Sequence, residues 1–422
     1  MQFRNVLAVA ALAGSTLAAN TSNNSTLTTA TPAVTKACSF SDFTATASDE
    51  VAQVAACATA VGDITIYGPA FGNVELTGVE QIYGSLDIIN ATQAVVLNAP
   101  TLQLVSGTLN LDGNTILATL NLAQLTTVGT LVLNALPALE KTGLTAGITS
   151  AENITVSDTA LISLEGINVY ELAIFNVNNN KDIETIDSGL QSVTNLISIS
   201  YNAEKVDVSL DKLTTANQVY FQSINSLSAA NLTSVNDSLT LTSNSIDKIE
   251  FKKLTSIGKS LTINKNDNLE ELDFPALTKL GGALVISDNS QLSNFDGFPN
   301  LTTIAGTVTL DGKFNNGTFD SLNRVSGGFN LTSTGELSCS AFDKANKFTV
   351  EGNELCSGAK DSTSSSGTKI ASDSSSETGS SSSSSATSTH TSSSKKNDGS
   401  SNAASRLTAL IASFMAVGVA FY

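Results

Sequence analysis

Two aspartates, Asp87 and Asp112, come closest in type and spacing to a catalytic pair. Asp87 lies between two apolar residues of a short predicted strand, and Asp112 follows the equivalent pair of the next repeat. The carboxylates should therefore lie on adjacent strands, offset by two residues and about 8 Å apart. Glycosidases use paired carboxylates about 5–5.5 Å or 6.5–9.5 Å apart. One hypothesis is thus an enzyme that acts on polysaccharide, and the alternative, which we favour, is two solvated surface acids.

Other catalytic and metal-binding chemistries lack their residues. The only histidine, His390, lies in a Ser/Thr-rich stretch, which excludes a Ser-His-Asp or Cys-His site. The cysteines lack CxxC spacing, no GxGxxG or GxxxxGK(S/T) motif is present, and there is no Trp to stack on sugars. The net charge of −17 argues against nucleic acid as a partner. We expect no catalytic site, no metal and no cofactor.

Both aspartates belong to a repeat of about 22 residues, a period typical of leucine-rich-repeat-like solenoids. Each copy contains an apolar-x-apolar segment. The first apolar residues are Ile64, Leu86, Leu109, Leu131, Ile154, Phe175, Ile197, Val219, Leu239, Leu261, Leu284, Val308 and Phe329, and the second lie two positions later. Because strand side chains alternate between faces, both residues should point into a core. One repeat cannot bury its apolar face alone, so the repeats should stack as rungs.

The outward positions of these strands carry mostly neutral hydrogen-bonding groups. Between the two apolar residues lie Thr65, Asp87, Asn110, Val132, Thr155, Asn176, Ser198, Tyr220, Thr240, Thr262, Val285, Thr309 and Asn330. The next outward positions are Tyr67, Ile89, Asp112, Asn134, Ser157, Asn178, Ser200, Gln222, Thr242, Asn264, Ser287, Asp311 and Thr332. The sequence therefore predicts a flat outer face of amides and hydroxyls.

Asparagine recurs five residues after the first strand position in six copies, namely Asn114, Asn180, Asn202, Asn244, Asn266 and Asn289. A buried amide can both donate to and accept from backbone groups that lack a strand partner. None of the six begins an Asn-x-Ser/Thr acceptor. We therefore predict a buried ladder that links rung to rung; the alternative is that Asn merely marks turns.

The chain before the solenoid has three predicted segments. Residues 1–19 read as a secretory signal, with Arg4 before an apolar stretch. Residues 20–37 are Thr/Ser/Asn-rich and predicted to be a disordered lead-in. Residues 38–61 are predicted to be an N-terminal cap with a helical segment over Ser48–Ala60, whose N-cap is Ser48 or Asp49.

Four cysteines in a secreted chain imply two disulfides, with three possible pairings. We favour local pairing, Cys38 with Cys57 and Cys339 with Cys356, because the stiff solenoid would hold its ends apart. Each short loop so closed contributes about 3 kcal/mol. The late pair defines a C-terminal cap over residues 336–359, so the solenoid spans 62–335 with about 13 rungs.

The remaining chain resembles a stalk and an attachment signal. Residues 360–399 are dominated by Ser and Thr, predicted to be disordered and O-glycosylated. The apolar tail Leu407–Tyr422 is short for a bilayer span, and with the polar spacer before it forms a GPI-attachment signal. We predict attachment at Gly399, with Asn397 as runner-up, and removal of residues 400–422. A tail-anchored span is the alternative.

Ten Asn-x-Ser/Thr acceptors predict N-glycosylation of the secreted chain. They are Asn20, Asn23, Asn24, Asn90, Asn153, Asn231, Asn236, Asn300, Asn316 and Asn330.

Several of these features together resemble a known family. They are the early and late cysteine pairs, "GDITI" from Gly62, "NITVSDTALISLEGI" from Asn153, "NVNNN" from Asn176, the Ser-rich stalk and "SSSKKNDG" before the tail. The chain is similar over nearly its whole length to the fungal GPI-anchored cell-wall organisation proteins with receptor-L-domain-like repeats, the extracellular-mutant and sporulation-specific protein family. Relatives carry Lys-Lys and then a small residue before the tail, as Lys395, Lys396 and Gly399 do in this chain, although Asn397-Asp398 intervenes.

The resemblance implies a mainly β fold, a right-handed parallel β-solenoid of leucine-rich-repeat or receptor-L-domain type. It also implies a glycosylated, GPI-anchored protein on the outer face of the plasma membrane or in the cell wall, needed for wall organisation, without established catalysis. Its partners would be the GPI lipid and, through the outer face, wall glucan or another wall protein. Two alternatives stay open, a polysaccharide-acting enzyme that uses Asp87 and Asp112, and a ligand-sensing ectodomain.

Overall fold

The computed structural model describes residues 30–360. The predicted signal peptide, most of the lead-in, the stalk beyond Lys360, the attachment positions Gly399 and Asn397, and the acceptors Asn20, Asn23 and Asn24 lie outside the described residues. The described part is mainly β, with two α-helices, α1 (Ser48–Ala55) and α2 (Cys339–Ala345), and one 3-10 turn over Lys36–Cys38.

The strands in chain order are β1 (Phe43–Ala45), β2 (Thr59–Val61), β3 (Ile64–Tyr67), β4 (Asn73–Glu75), β5 (Gln81–Tyr83), β6 (Leu86–Ile89), β7 (Val96–Asn98), β8 (Leu104–Asp112), β9 (Thr119–Asn121), β10 (Thr127–Leu136), β11 (Asn153–Thr159), β12 (Glu171–Asn178), β13 (Thr185–Asp187), β14 (Ser192–Ser200), β15 (Asp207–Ser209), β16 (Thr215–Gln222), β17 (Ser226–Ser228), β18 (Ser234–Val235), β19 (Leu239–Thr242), β20 (Lys248–Glu250), β21 (Ser256–Ile257), β22 (Leu261–Asn264), β23 (Glu271–Asp273), β24 (Lys279–Leu280), β25 (Leu284–Ser287), β26 (Thr303–Ile304), β27 (Val308–Gly312), β28 (Arg324–Val325), β29 (Phe329–Ser333), β30 (Thr349–Val350) and β31 (Glu354–Gly358).

Thirteen of these strands form the row predicted from the repeat, which we call the front row: β3, β6, β8, β10, β11, β12, β14, β16, β19, β22, β25, β27 and β29. Each pairs in parallel with the strand one repeat away, and the first apolar residues lie side by side, as Leu261 does with Leu284. Both apolar positions are buried, as at Ile263 and Leu284. The predicted parallel β-solenoid is confirmed.

Both caps extend the front row. Strand β1 pairs with β3 at one end, and β31 pairs with β29 at the other. The Cys38–Cys57 and Cys339–Cys356 disulfides hold the two caps, with Cα–Cα separations of 5.7 and 5.8 Å. Helix α1 buries Val51 and Val54 against the first rungs. Its N-cap is Ala47 and not the predicted Ser48 or Asp49, because Glu50 Oε2 accepts the backbone N–H groups of Thr46 and Ala47. Thus each cap supplies a strand that covers the edge of the stack.

Two further rows of short strands complete the rungs. A side row, which precedes the front strands in each rung, contains β2, β5, β18, β21, β24, β26, β28 and β30. The long strands β8, β10, β12, β14 and β16 run through both rows. The pairings of β8 with β10, β12 with β14 and β14 with β16 shift in register between the two rows. A back row consists of three small sheets, β4-β7-β9, β13-β15-β17 and β20-β23. The apolar core lies between these rows, and includes a stack of Phe251, Phe274 and Phe298 with ring centroids 5.4 and 5.0 Å apart.

The chain leaves the front row through a left-handed residue in eleven successive rungs. This corner position lies four residues after the first apolar strand residue, and φ is positive at Gly68, Asn90, Gly113, Ala135, Asp158, Asn179, Tyr201, Ser223, Ser243, Lys265 and Asp288. Gly, Asn and Asp tolerate this conformation best. At Ser223, Ser243 and Lys265 the backbone N–H donates to a carbonyl one rung later, at 3.2, 3.0 and 3.1 Å.

The six predicted ladder asparagines follow directly on these corners, and all are buried. The Asn266 Nδ2 donates to the Leu241 carbonyl at 3.2 Å and to Asn289 Oδ1 at 3.0 Å. The Asn266 Oδ1 accepts from the backbone and side-chain N–H groups of Asn244, each at 3.0 Å. Asn180 and Asn202 make the same contact, and Thr159 takes the place of asparagine one rung earlier. The ladder therefore satisfies backbone groups that the corner leaves without strand partners.

Among residues 30–360, no helix is both long and apolar enough to cross a membrane.

Candidate functional site

Asp87 and Asp112 lie on adjacent front strands with the predicted offset, because Asp112 is in register with Ile89. Both carboxylates accept a hydrogen bond from an asparagine one rung later. Asn110 Nδ2 donates to Asp87 Oδ1 at 3.1 Å, and Asn134 Nδ2 donates to Asp112 Oδ1 at 2.6 Å. Asp87 and Asp112 thus accept side-chain hydrogen bonds that link neighbouring rungs.

The electrostatics around Asp87 come mainly from burial. Desolvation of its half-buried carboxyl raises the pKa of Asp87, and the nearby Asp63 carboxylate raises it further, while the hydrogen bond from Asn110 opposes both. Asp63 in turn accepts the backbone N–H of Ser85 at 2.7 Å. A general acid needs a raised pKa, so the direction of the shift fits that role. However, the acid that contributes to the shift is Asp63, whose carboxylate is already bound to the backbone of the following rung at Ser85.

The two outward positions that follow the first apolar residue of β12, β14, β16, β19, β22 and β25 form a surface that we call the platform; the partly exposed Ile174 and Leu196, which precede that residue on β12 and β14, adjoin it. Every one of the platform positions is Asn, Gln, Ser, Thr or Tyr, except Val285. Most are partly exposed, as predicted, but Ser200 and Asn264 retain only 8% and 9% exposure, so they do not face open solvent. The side chains of the platform contain no carboxylate, ammonium or guanidinium group.

Two tyrosines, one on the platform and one at the corner beside it, are joined through one glutamine. The Tyr220 hydroxyl donates to Gln222 Oε1, and Gln222 Nε2 donates to the Tyr201 hydroxyl. Burial raises the pKa of the half-buried Tyr220. Tyr201 occupies the left-handed corner next to the platform and is 46% exposed. The sequence alone did not identify Tyr201 as a residue of this site. The signal that could have done so is an aromatic residue at the corner position of its repeat.

A second polar network lies beside the tyrosines. Asn178 Oδ1 accepts from the Ser157 hydroxyl at 2.7 Å and from Asn179 Nδ2 at 3.1 Å, and Asn178 Nδ2 donates to Asn176 Oδ1 at 2.9 Å. Farther along the platform, Asn264 Oδ1 is buried and has no hydrogen-bond partner within residues 30–360. The platform thus combines side chains fixed by one another with one buried acceptor that has no hydrogen-bond partner in the described chain.

Shallow hollows flank the platform at the corners of the later rungs. Their lining includes Asp267, Asp288 and Asp311. Desolvation and the Asp288 carboxylate raise the pKa of Asp311. No group of three or more His, Cys, Asp or Glu side chains in the described part of the chain is arranged to hold a metal ion.

The seven described glycosylation acceptors all lie off the platform. Asn90, Asn236, Asn300 and Asn316 are exposed, and Asn153, Asn231 and Asn330 are partly buried. Asn153 and Asn330 are on front strands, but on β11 and β29, outside the platform. The back row of the same rungs instead carries ion pairs, with Lys248 Nζ 3.1 Å from Glu250 and 2.9 Å from Glu271.

Comparison with known proteins finds relatives that match most of the chain. It is 39% identical to the cell surface GPI-anchored protein ECM33 of Candida albicans over 373 residues, 87% of each chain. It is 36% identical to the cell wall mannoprotein PST1 of Saccharomyces cerevisiae over 69% of this chain and 65% of that one. It is 31% identical to the protein ecm33 of Aspergillus fumigatus over 75% of this chain and 81% of that one.

No family model and no solved structure matches the chain. The identity to the Candida albicans protein nevertheless includes the solenoid, because it extends over 87% of the chain. The chain therefore belongs to the family of fungal GPI-anchored cell-surface and cell-wall proteins.

Proposed function

We propose that this protein is an N-glycosylated, GPI-anchored scaffold or binding module that supports cell-wall organisation and catalyses no reaction. The observation that carries the proposal is the platform, a wide surface of amides and hydroxyls without a charged group. The names of its relatives support a location at the cell surface or in the wall. Such a surface is suited to holding a partner through many weak polar contacts, whereas it offers no group that could transfer a proton at neutral pH.

The processing that this function requires follows from the sequence. We propose that residues 1–19 are removed, that the disulfide-closed caps bound the solenoid, and that residues 360–399 form a stalk. We also propose that the GPI lipid is attached at Gly399 in place of residues 400–422. The exposed acceptors Asn90, Asn236 and Asn316 are the best glycosylation candidates, because no hydrogen bond of their side chains must be broken, whereas Asn300 Nδ2 donates to the Pro275 carbonyl.

The test is complementation in a strain of the source fungus that lacks the gene. We expect the double variant Asp87→Asn, Asp112→Asn to restore resistance to wall-binding dyes as well as the wild type does, because asparagine keeps the acceptor oxygens that Asn110 and Asn134 bond. A double variant that is secreted at the wild-type level and fails to restore resistance would contradict the non-enzymatic function.

The second candidate is an enzyme that acts on wall polysaccharide. One observation favours it: burial raises the pKa of Asp87, next to a second acid on the adjacent strand. The complementation test separates the two functions, because a hydrolase cannot work after both carboxylates are replaced by amides.

A further inference from the structure

The platform differs from the other faces of the same rungs in two independent respects. It carries no charged side chain, although the back row of these rungs has the Lys248, Glu250 and Glu271 ion pairs. It also carries no glycosylation acceptor, although Asn231 and Asn236 lie elsewhere on the rungs that the platform spans. The platform is thus a surface on which neither a charged side chain nor an attached sugar obstructs a large partner, with the charges of Lys265 and Asp288 at the corners beside it.

The chemistry of the platform limits what that partner is. The whole chain has a net charge of −17, so an anionic polymer would be repelled and a cationic one would need acidic side chains that the platform lacks. Protein interfaces concentrate aromatic, Met and Arg anchors in a dry centre. The platform has one aliphatic side chain, Val285, with Ile174 and Leu196 adjoining it on β12 and β14, and otherwise presents amides and hydroxyls. Its complement is a neutral polymer that is itself rich in hydroxyl groups.

Resting on the proposed function, we propose that the platform binds an uncharged glucan chain of the cell wall, laid across successive rungs. Strands spaced about 4.8 Å apart present a hydroxyl or amide at each rung, so a chain of sugar units meets a repeating set of donors and acceptors. Val285 is the one aliphatic side chain of the platform, so the platform offers little apolar surface to the acetyl methyl groups of chitin, which favours a glucan.

Tyr201 is the residue that should distinguish this site from any polar surface. The half-exposed ring of Tyr201 offers an apolar face to the C–H face of a sugar, and its hydrogen bond from Gln222 fixes it in place, which lowers the entropy cost of binding.

The experiment measures binding of the full glycosylated protein, released from cells, to a soluble linear β-1,3-glucan. Chitin hexaose and a carboxymethylated glucan are probed in parallel. We expect saturable binding of the neutral glucan that changes less than about twofold between 50 mM and 500 mM salt, because no charge pair forms. Tyr201→Ala and Thr262→Glu should each weaken binding about tenfold or more, whereas Tyr201→Phe should weaken it less, since the ring remains.

The control variant is Thr119→Glu, which adds the same charge at an exposed position of the back row, on β9. It should bind the glucan as the wild type does. Thermal unfolding of every variant establishes that it is folded. The proposal is overturned if the glucan does not bind, if platform and control variants behave alike, or if chitin or the anionic glucan binds instead.

The same variants in cells separate this proposal from the proposed function. If Thr262→Glu abolishes wall resistance while the wild-type protein binds no glucan, the proposed role in wall organisation is retained and glucan is refuted as the ligand. A protein partner is then the next ligand to test. If the glucan binds at the platform but cells with Thr262→Glu keep full wall resistance, glucan binding is confirmed. The proposal that the platform contributes to wall organisation is then refuted.

Discussion

At the scale of single residues, the buried amide of Asn266 shows how the solenoid satisfies its corners. It bonds the rung before it through the Asn244 amide and the Leu241 carbonyl, and the rung after it through Asn289. Both partners in the preceding rung are buried backbone or amide groups that water does not reach. A single side chain therefore links three rungs.

Replacing this amide should be costly. We expect Asn266→Ala to lower the free energy of unfolding by about 3 kcal/mol, because it leaves the Leu241 carbonyl and the Asn244 N–H groups without partners. The measurement is urea denaturation of the secreted protein. Asn268→Ala is the control: that residue is exposed and makes only a 3.4 Å contact, so its loss should change little. Equal effects of the two variants would contradict a structural ladder.

The titration of Asp87 predicts a stability effect of a definite sign. Burial raises its pKa in the folded protein, so ionisation is penalised there, and stability falls as pH rises through that pKa. Asp87→Asn should therefore raise the unfolding temperature at pH 7 and have no such effect at a pH well below the ordinary aspartate pKa.

Asp207 is the matched residue of opposite sign. Hydrogen bonds from Asn225 and Ser226 lower its pKa, so its contribution to stability is present at neutral pH and is lost as pH falls through its folded-state pKa. Asp207→Asn should lower the unfolding temperature at pH 7. If both variants shift it in the same direction, burial at Asp87 and hydrogen bonding at Asp207 are not the causes of the two pKa shifts.

At the scale of elements, the rungs approach most closely where the chain turns from the side row to the front row. A Cβ on Gly281 would lie 2.0 Å from the carbonyl oxygen of Gly258, one rung earlier. The Gly281 N–H also bonds the Ile257 carbonyl at 2.9 Å, so the rung cannot shift without losing that bond. Gly258 meets the rung before it in the same way, since a Cβ there would lie 1.9 Å from the Asn236 oxygen.

We expect Gly281→Ala to destabilise the protein by about 1–3 kcal/mol, because the methyl group forces the rungs apart. Thermal unfolding measures the loss. Gly72→Ala is the control, since a Cβ there meets no atom within 4 Å and its φ is not positive. The close packing of rungs at this corner would be disproved by a Gly281→Ala variant as stable as Gly72→Ala.

The three rows of strands differ in how readily their sequences reveal them. The period placed the front strands correctly, because an apolar pair every 22 residues or so has no other way to be buried. The short strands of the side and back rows have two or three residues each, too few for alternation to be recognised. The corner residues escaped notice as well, because Ala135, Tyr201 and Lys265 adopt positive φ only under constraint from neighbouring rungs.

At the scale of the whole molecule, the family determines where the protein should be found. We expect phospholipase C to release it from intact cells, as a GPI lipid at Gly399 requires. A protein that only glucanase releases would instead be covalently part of the wall. Gly399→Leu should send the chain into the medium, because attachment needs a small residue. Anchoring that survives this change would point to Asn397.

The functional site was only partly accessible from the sequence. The outward strand residues predicted a neutral face, and Asp87 and Asp112 have the predicted offset. However, the sequence did not show that Asn110 and Asn134 bond these acids, nor that Gln222 joins Tyr201 to Tyr220. Such contacts join residues about 20 positions apart, and depend on side-chain rotamers that no periodicity encodes.

The sequence by itself determined the repeat, the inward and outward faces of the front strands, the amides of the ladder and, through its relatives, the family. These follow from local alternation and composition, which act within one rung. The tertiary structure alone decided which outward residues are exposed, that Ser200 and Asn264 are covered, and that Tyr201 stands beside the platform. Stacking decides these properties, because exposure and hydrogen bonding at one rung depend on the side chains of the rungs above and below.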